Sequence, residues 1–156
     1  MTNKLKWGVE YEYLYCDTGT IGEVVPLFNA YREFYGQPTD LIQAEQFIQE
    51  RVEKEQSIIF LAYLDGEAVG FAQLFPIFSS VAMKKAFILN DLFVAGYARK
   101  QGVAKALIDQ CYVYCQQENA RYMMLETAKD NVNAQKLYEN VGMTIDDHVY
   151  YYSIYW

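Results

Sequence analysis

The sequence predicts an α/β (α+β) fold: a mixed, mostly antiparallel central sheet with flanking helices. Three observations carry this expectation. The dipeptide Asp65-Gly66 joins two β-rich runs, 57–64 and 68–78, and is a strong hairpin signal. Apolar residues recur at helical spacing through 21–35 and again through 102–117. The succession of a strand at 86–94, a helix at 102–117 and a strand at 121–127 reads as a locally parallel βαβ crossover. The predicted order is β-α-α-β-β-β-α-β-α-β. No repeat, linker or low-complexity segment interrupts it, so one domain is expected over residues 1–156.

The elements follow in order. Residues 9–16 alternate around Val9, Tyr11, Tyr13 and Tyr15, a first strand. A turn at 17–20 leads into a helix that carries Val24, Leu27, Phe28, Tyr31 and Phe34 on one stripe. Residues 36–40 break it, and Thr39 or Asp40 can cap a second helix over about 41–55. The hairpin follows, with Pro76 expected at a strand end, where no ladder donor is needed. A turn over 78–85 precedes the strand at 86–94. After the crossover come a short helix at 131–141 and a final β segment at 144–155.

Bulk properties exclude several classes. Hydrophobic residues make up 53% of the chain, which is a globular composition. A net charge of −7 disfavours nucleic acid, whose phosphates need basic patches. No apolar run is long enough to span a bilayer, and residues 1–7 lack the apolar stretch of a signal peptide, so no membrane is expected and the expected location is cytoplasmic. Three cysteines, Cys16, Cys111 and Cys115, form no CxxC pair and lie far from the sole histidine, His148; neither a disulfide framework nor a metal site is expected.

The chemistry concentrates in residues 89–104. Between strand and helix, Gly102 and Ala104 let backbone approach a ligand, and amides at the helix N-terminus favour an anion. Arg99, Lys100 and Lys105 add positive charge there. The turn is neither GxxxxGK[ST] nor GxGxxG.

Arg99-x-x-Gly102-x-Ala104, five residues after Leu92-Phe93-Val94, resembles the Q/R-x-x-G-x-G/A signature of GNAT-family N-acetyltransferases. The run from Asn131 through Ala134, Leu137 and Tyr138 to Gly142 is similar to that family's N-x-x-A-x-x-L-Y-x-x-x-G-F element. The resemblance implies the GNAT fold, acetyl-CoA as co-substrate, no metal, and transfer of acetyl to a primary amine by direct attack. It further implies that Leu92, Phe93 and Val94 pair with the pantetheine arm. Amides of Arg99, Lys100, Gln101, Gly102, Val103, Ala104 and Lys105 would hold the pyrophosphate, and Asn131 would bond the cofactor. Tyr138 would protonate the leaving thiolate. Each residue also has a plainer reading: Tyr138 as core, Asn131 as a helix cap, Arg99 as a surface cation and Gly142 as a helix C-cap.

An attacking amine must lose a proton. Asp91 is the local candidate base, since a carboxylate in an apolar strand is costly unless paired or at a site. A bond to a neighbouring turn is the competing reading. Strict alternation would place Leu89, Asp91 and Phe93 on one face. Glu33 and Glu126 are weaker candidates. The strand resembles that of diamine and thialysine acetyltransferases, which carry Glu-Asp where this chain has Asn90-Asp91. A small-molecule amine acceptor is therefore expected; the alternatives are a protein or peptide N-acetyltransferase and a non-catalytic acyl-CoA sensor. The tyrosine-rich tail at 148–156 is apolar enough to be a dimer edge, so a homodimer is expected.

Overall fold

The computed structural model describes the backbone of residues 2–4 and 10–156, with side chains from Tyr15 onward. Val9, the start of the first expected strand, lies outside the described residues. The chain divides into two compact units, Met1–Glu126 and Thr127–Trp156.

The first unit is a six-stranded sheet in the order β1-β2-β3-β4-β5-β6: Thr2–Lys4, Glu10–Tyr15, Ile58–Leu64, Glu67–Ser79, Lys84–Val94 and Met123–Met124. All pairs are antiparallel except β5–β6, which is parallel, as the crossover requires. Strand β1 was not expected. The hairpin turn at Asp65-Gly66 forms as read, with positive φ at both residues. Pro76 lies inside β4, paired opposite Phe87, and not at the strand's end. Pairing with β3 stops at Leu74, so β4 has one strand neighbour at Pro76 and can lack a donor on the other side.

Two helices, α1 (Ile21–Phe34) and α2 (Leu41–Glu53), cover one face. Asp40 caps α2, its Oδ1 accepting from the Gln43 amide at 2.9 Å. Val24, Phe28, Ala44 and Ile48 pack with Ile59, Leu61 and Phe71 of the sheet into one core. The other face carries α3 (Val103–Gln117), which buries Val103, Leu107, Cys111 and Cys115 at helical spacing. The Tyr114 ring meets Phe60 and Phe87 edge-on at 5.8 and 5.6 Å. Each fully buried large apolar side chain of these two layers contributes roughly 1.5–3 kcal/mol. Burial pushes all three thiols up from their ordinary range, Cys115 to about 11.

A β-bulge decides which face each residue of β5 serves. Leu74 pairs with Leu89 but Gln73 pairs with Asp91, leaving Asn90 as the extra residue. Paired residues share a face, and Gln73 and Leu74 point oppositely. Phe87 and Leu89 therefore turn to α3, while Asp91 and Phe93 turn to α1, where Phe93 meets Tyr31. The expected alternation, with Leu89 beside Asp91, is corrected: an inserted residue inverts the phase of all that follows.

Strand β6 is only two residues long and leaves β5 after Ile88. Beyond it, in the second unit, α4 spans Val132–Asn140 and ends in a left-handed Gly142, whose amide bonds Glu139 O while Met143 N bonds Tyr138 O. The final β segment expected at 144–155 is not formed. Its Tyr, Ile and Val residues have strand propensity, but propensity yields a strand only against a partner's backbone, and no ladder includes them. Among the described residues, no helix is long and apolar enough to cross a membrane, and no cluster of metal-ligating side chains occurs.

Gly70 sits where β4, β5 and α3 crowd together. A Cβ there would lie 2.8 Å from the Phe93 carbonyl oxygen and 3.4 Å from a Leu107 methyl. Gly70→Ala should therefore destabilise the fold by about 1–3 kcal/mol. Thermal unfolding will read this as a Tm drop of several degrees.

Candidate active site

The bulge places Asp91 at the base of a cavity of about 450 Å3 between α1, α2 and β5. Its walls are largely aromatic: Phe28 stacks on Phe47 at 5.5 Å, and Tyr31 meets Tyr35 edge-on at 5.0 Å. The volume is within the range of small-molecule sites, and apolar walls with few polar groups are their usual form.

Asp91 is 4% exposed and held from two sides. Gln73 Nε2, fully buried on the neighbouring strand, donates to Oδ2, and Asn90 Nδ2 donates to Oδ1 at 3.0 Å. Ser57 Oγ donates in turn to Gln73 Oε1 at 2.8 Å, so a buried polar chain runs across β3, β4 and β5. The Tyr31 hydroxyl donates to the Asn90 carbonyl at 3.3 Å, clamping the bulge to α1. Burial pushes the Asp91 carboxyl above the usual carboxylate range; hydrogen bonds from Gln73, Tyr31 and Asn90 oppose that rise without cancelling it. A carboxylate so placed can take up a proton near neutral pH more readily than an exposed one. The sequence pointed to Asp91; it did not reveal Gln73, whose signal is only its place opposite Asp91 across the hairpin. Of the weaker candidates, Glu33 is exposed and accepts from Asn29 Nδ2 at 3.2 Å, and Glu126 is exposed at the end of the first unit. Neither lines the cavity.

Past Asp91, β5 runs on as Leu92, Phe93 and Val94 with β4 on one side and, among the described residues, no strand on the other. The chain then makes a single 3-10 turn (Gly96–Ala98) and enters α3 through two left-handed residues, Lys100 at φ 61° and Gly102 at φ 87°. Gly102 is the N-cap and no side chain caps the helix. The first helical acceptor, Gly102 O, bonds Ala106 N, so the amides of Val103, Ala104 and Lys105 have no intrahelical acceptor. An uncapped N-terminus entered through left-handed backbone suits a phosphate.

The cations of this turn are less committed to an anion than their sequence suggests. Arg99 folds back, its Nε donating to Val94 O at 2.9 Å and its guanidinium lying 5.9 Å from the Phe34 and Phe93 rings. Lys105 pairs with Asp109 one helical turn on, at 2.6 Å. Lys100 and Gln101 are exposed. In the second unit, Asn131 is the N-cap of α4, its Oδ1 accepting from Ala134 N at 3.3 Å. That bond uses the oxygen and leaves the amide NH2 group to donate elsewhere. Tyr138 is half-buried on the same helix.

A family model described as Acetyltransferase (GNAT) family matches residues 24–143. The chain belongs to this family. It is 42% identical over 137 residues to the uncharacterized N-acetyltransferase YhfO of Bacillus subtilis (strain 168), covering 88% of this chain and 92% of that protein. It is 27% identical to an aminoglycoside N(6')-acetyltransferase type 1 of Salmonella typhimurium, over 75% of this chain and 81% of that one. A crystal structure of a probable acetyltransferase, 34% identical, superimposes with a TM-score of 0.88 over 92% of this chain and 96% of that one. The protein is an acetyltransferase.

The Asp91 environment has a thermodynamic consequence in this acetyltransferase. A carboxyl whose folded pKa is raised contributes stability below its unfolded pKa, and that contribution is lost as pH rises through the folded value. Asp91→Asn removes the ionisation. Its Tm relative to wild type should therefore increase from pH 4 to pH 8 (roughly the span from the unfolded carboxyl pKa upward). A constant difference across that range, by scanning calorimetry, would refute the assignment.

Proposed function

We propose that this acetyltransferase moves the acetyl group of acetyl-CoA to the primary amine of a small molecule by direct attack, with Asp91 as general base. The observation that carries this reading is a buried carboxylate with a raised pKa at the base of a small aromatic cavity. The cavity's size favours a small acceptor over a protein surface; the 27% identity to an aminoglycoside acetyltransferase supports an amine, as does the resemblance in sequence of the strand carrying Asn90-Asp91 to diamine and thialysine acetyltransferases. The Asn90-for-Glu departure leaves Asp91 as the acid of that strand.

The co-substrate fits the residues present. The open edge of β5 at Leu92, Phe93 and Val94 has backbone groups for a pantetheine arm, one of which would polarise the thioester carbonyl. Amides from Lys100 and Gln101 through Gly102, Val103, Ala104 and Lys105 would hold the pyrophosphate. Arg99, bonded to Val94 O through Nε, would hold the turn in place and offer its terminal nitrogens to the phosphate. Asn131 would add a donor through its free amide group. In the reaction the amine's proton passes to Asp91, the nitrogen bonds to the acetyl carbon, and the carbon–sulfur bond breaks as Tyr138 gives its proton to the departing sulfur. The same reading has the chain working in the cytoplasm as a homodimer, with the exposed tail at Tyr150, Tyr152 and Tyr155 covered by a second copy.

An amine screen and three variants test the roles. Thiol release from acetyl-CoA against polyamines, amino acids, aminoglycosides and peptides should give turnover on a small amine, and Asp91→Asn should lower kcat by about 10²-fold or more. Turnover confined to peptide N-termini would refute the small-molecule assignment, and tight acetyl-CoA binding with no turnover on any amine would favour a sensor. Because the Gln73 hydrogen bond favours ionised Asp91, Gln73→Met should shift the acid limb of the kcat/KM profile to higher pH. Tyr138→Phe should reduce kcat more than KM; an undiminished kcat would remove Tyr138 as the acid.

A further inference from the structure

Arg32 stands in the wall of the same cavity without an acidic partner among the described residues. It lies in the last turn of α1, half-buried, and among those residues its hydrogen bonding is a long 3.5 Å contact from Nη1 to the Pro38 carbonyl. Several other cations of this unit do have acidic partners: Arg51 pairs with Glu50, Lys85 with Glu118 and Lys105 with Asp109. Glu33, next in sequence, is turned to Asn29. Arg32 is thus a cation of the cavity lining with no ion pair among the described residues, its guanidinium a fork shaped for a carboxylate, and Asp91 is the one acidic residue of that lining.

A cavity with one acid and one cation suits an acceptor that carries charges of both signs. A polycationic amine would gain at Asp91 and lose at Arg32; a zwitterion would gain at both. The aromatic rings of the same lining suit the apolar stem that separates an amine from a carboxylate, and Gln37 and Gln43 add polar groups to it.

We infer that Arg32 is a specificity-determining residue, gripping a carboxylate of the acceptor, so that the substrate class is amino acids and related amino-carboxylates rather than polyamines. This rests on the reading of the cavity as the acceptor site.

The test uses α- and ω-amino acids of increasing length, each against its own carboxamide, with acetyl-CoA and thiol release as the readout. Wild type should prefer the carboxylate of at least one pair by about tenfold or more in kcat/KM, the scale of a charge-assisted hydrogen bond. Arg32→Gln should bring that ratio towards one, chiefly through KM, and Arg32→Lys should restore part of it. A ratio near one in wild type, or an unchanged ratio in Arg32→Gln, overturns the inference while leaving the acetyltransferase reading intact. Turnover of neither series, with polyamines accepted, overturns it as well; no turnover of any amine overturns both. Circular dichroism of the two variants separates loss of contact from loss of fold.

Discussion

A single inserted residue in β5 determines what this fold can do. Without Asn90 as a bulge, Phe87, Leu89, Asp91 and Phe93 would share one face, and the carboxylate would be pressed among the aliphatic residues under α3. With it, the first half of the strand builds one core and the second half serves the other side of the sheet. The cost is an interrupted ladder, offset by the Tyr31 hydroxyl on the Asn90 carbonyl and by Asn90's own side chain on Asp91. The bulge is thus bonded at both backbone and side chain.

From that inversion follow the buried chain Ser57–Gln73–Asp91 and the packing of Phe93 against α1. Gln73 has no exposure and two partners, which makes it a fixed amide rather than a mobile one. An amide with both ends engaged cannot flip without breaking two bonds, so the carboxylate orientation is set by the sheet and not by solvent. Site rigidity here is a property of three adjacent strands, while the aromatic walls come from two helices joined by a short loop.

Much of this was legible in the sequence, because it depends on local chemistry. Asp65-Gly66 announced its hairpin, Gly102 announced a helix start where backbone can approach a ligand, and an acid among Leu, Phe and Val announced itself as costly. What escaped depends on distant pairing. A bulge leaves no residue signature when the inserted residue is as ordinary as asparagine. The position of Arg99 beside Gly102 is visible in the sequence, and its bond back to Val94 is not. The tail at 144–155 has the composition of a strand, yet strand formation is a two-body event and composition describes one body. The cavity itself needs α1, α2 and β5 together, so neither Arg32 nor Tyr31 stood out among the charged and aromatic residues.

The three cysteines have a meaning beyond packing. Burial pushes the Cys115 thiol up to about 11 and the Cys111 thiol further still, so both stay protonated at neutral pH. Thiolate is the species that attacks disulfides. If turnover follows the proposed reaction and liberates a free thiol, the enzyme works beside a growing pool of thiol and, on air oxidation, of disulfide. This protein's own sulfurs, buried and protonated, are poor partners for exchange with that pool, so mixed disulfides should not accumulate on it as product builds up.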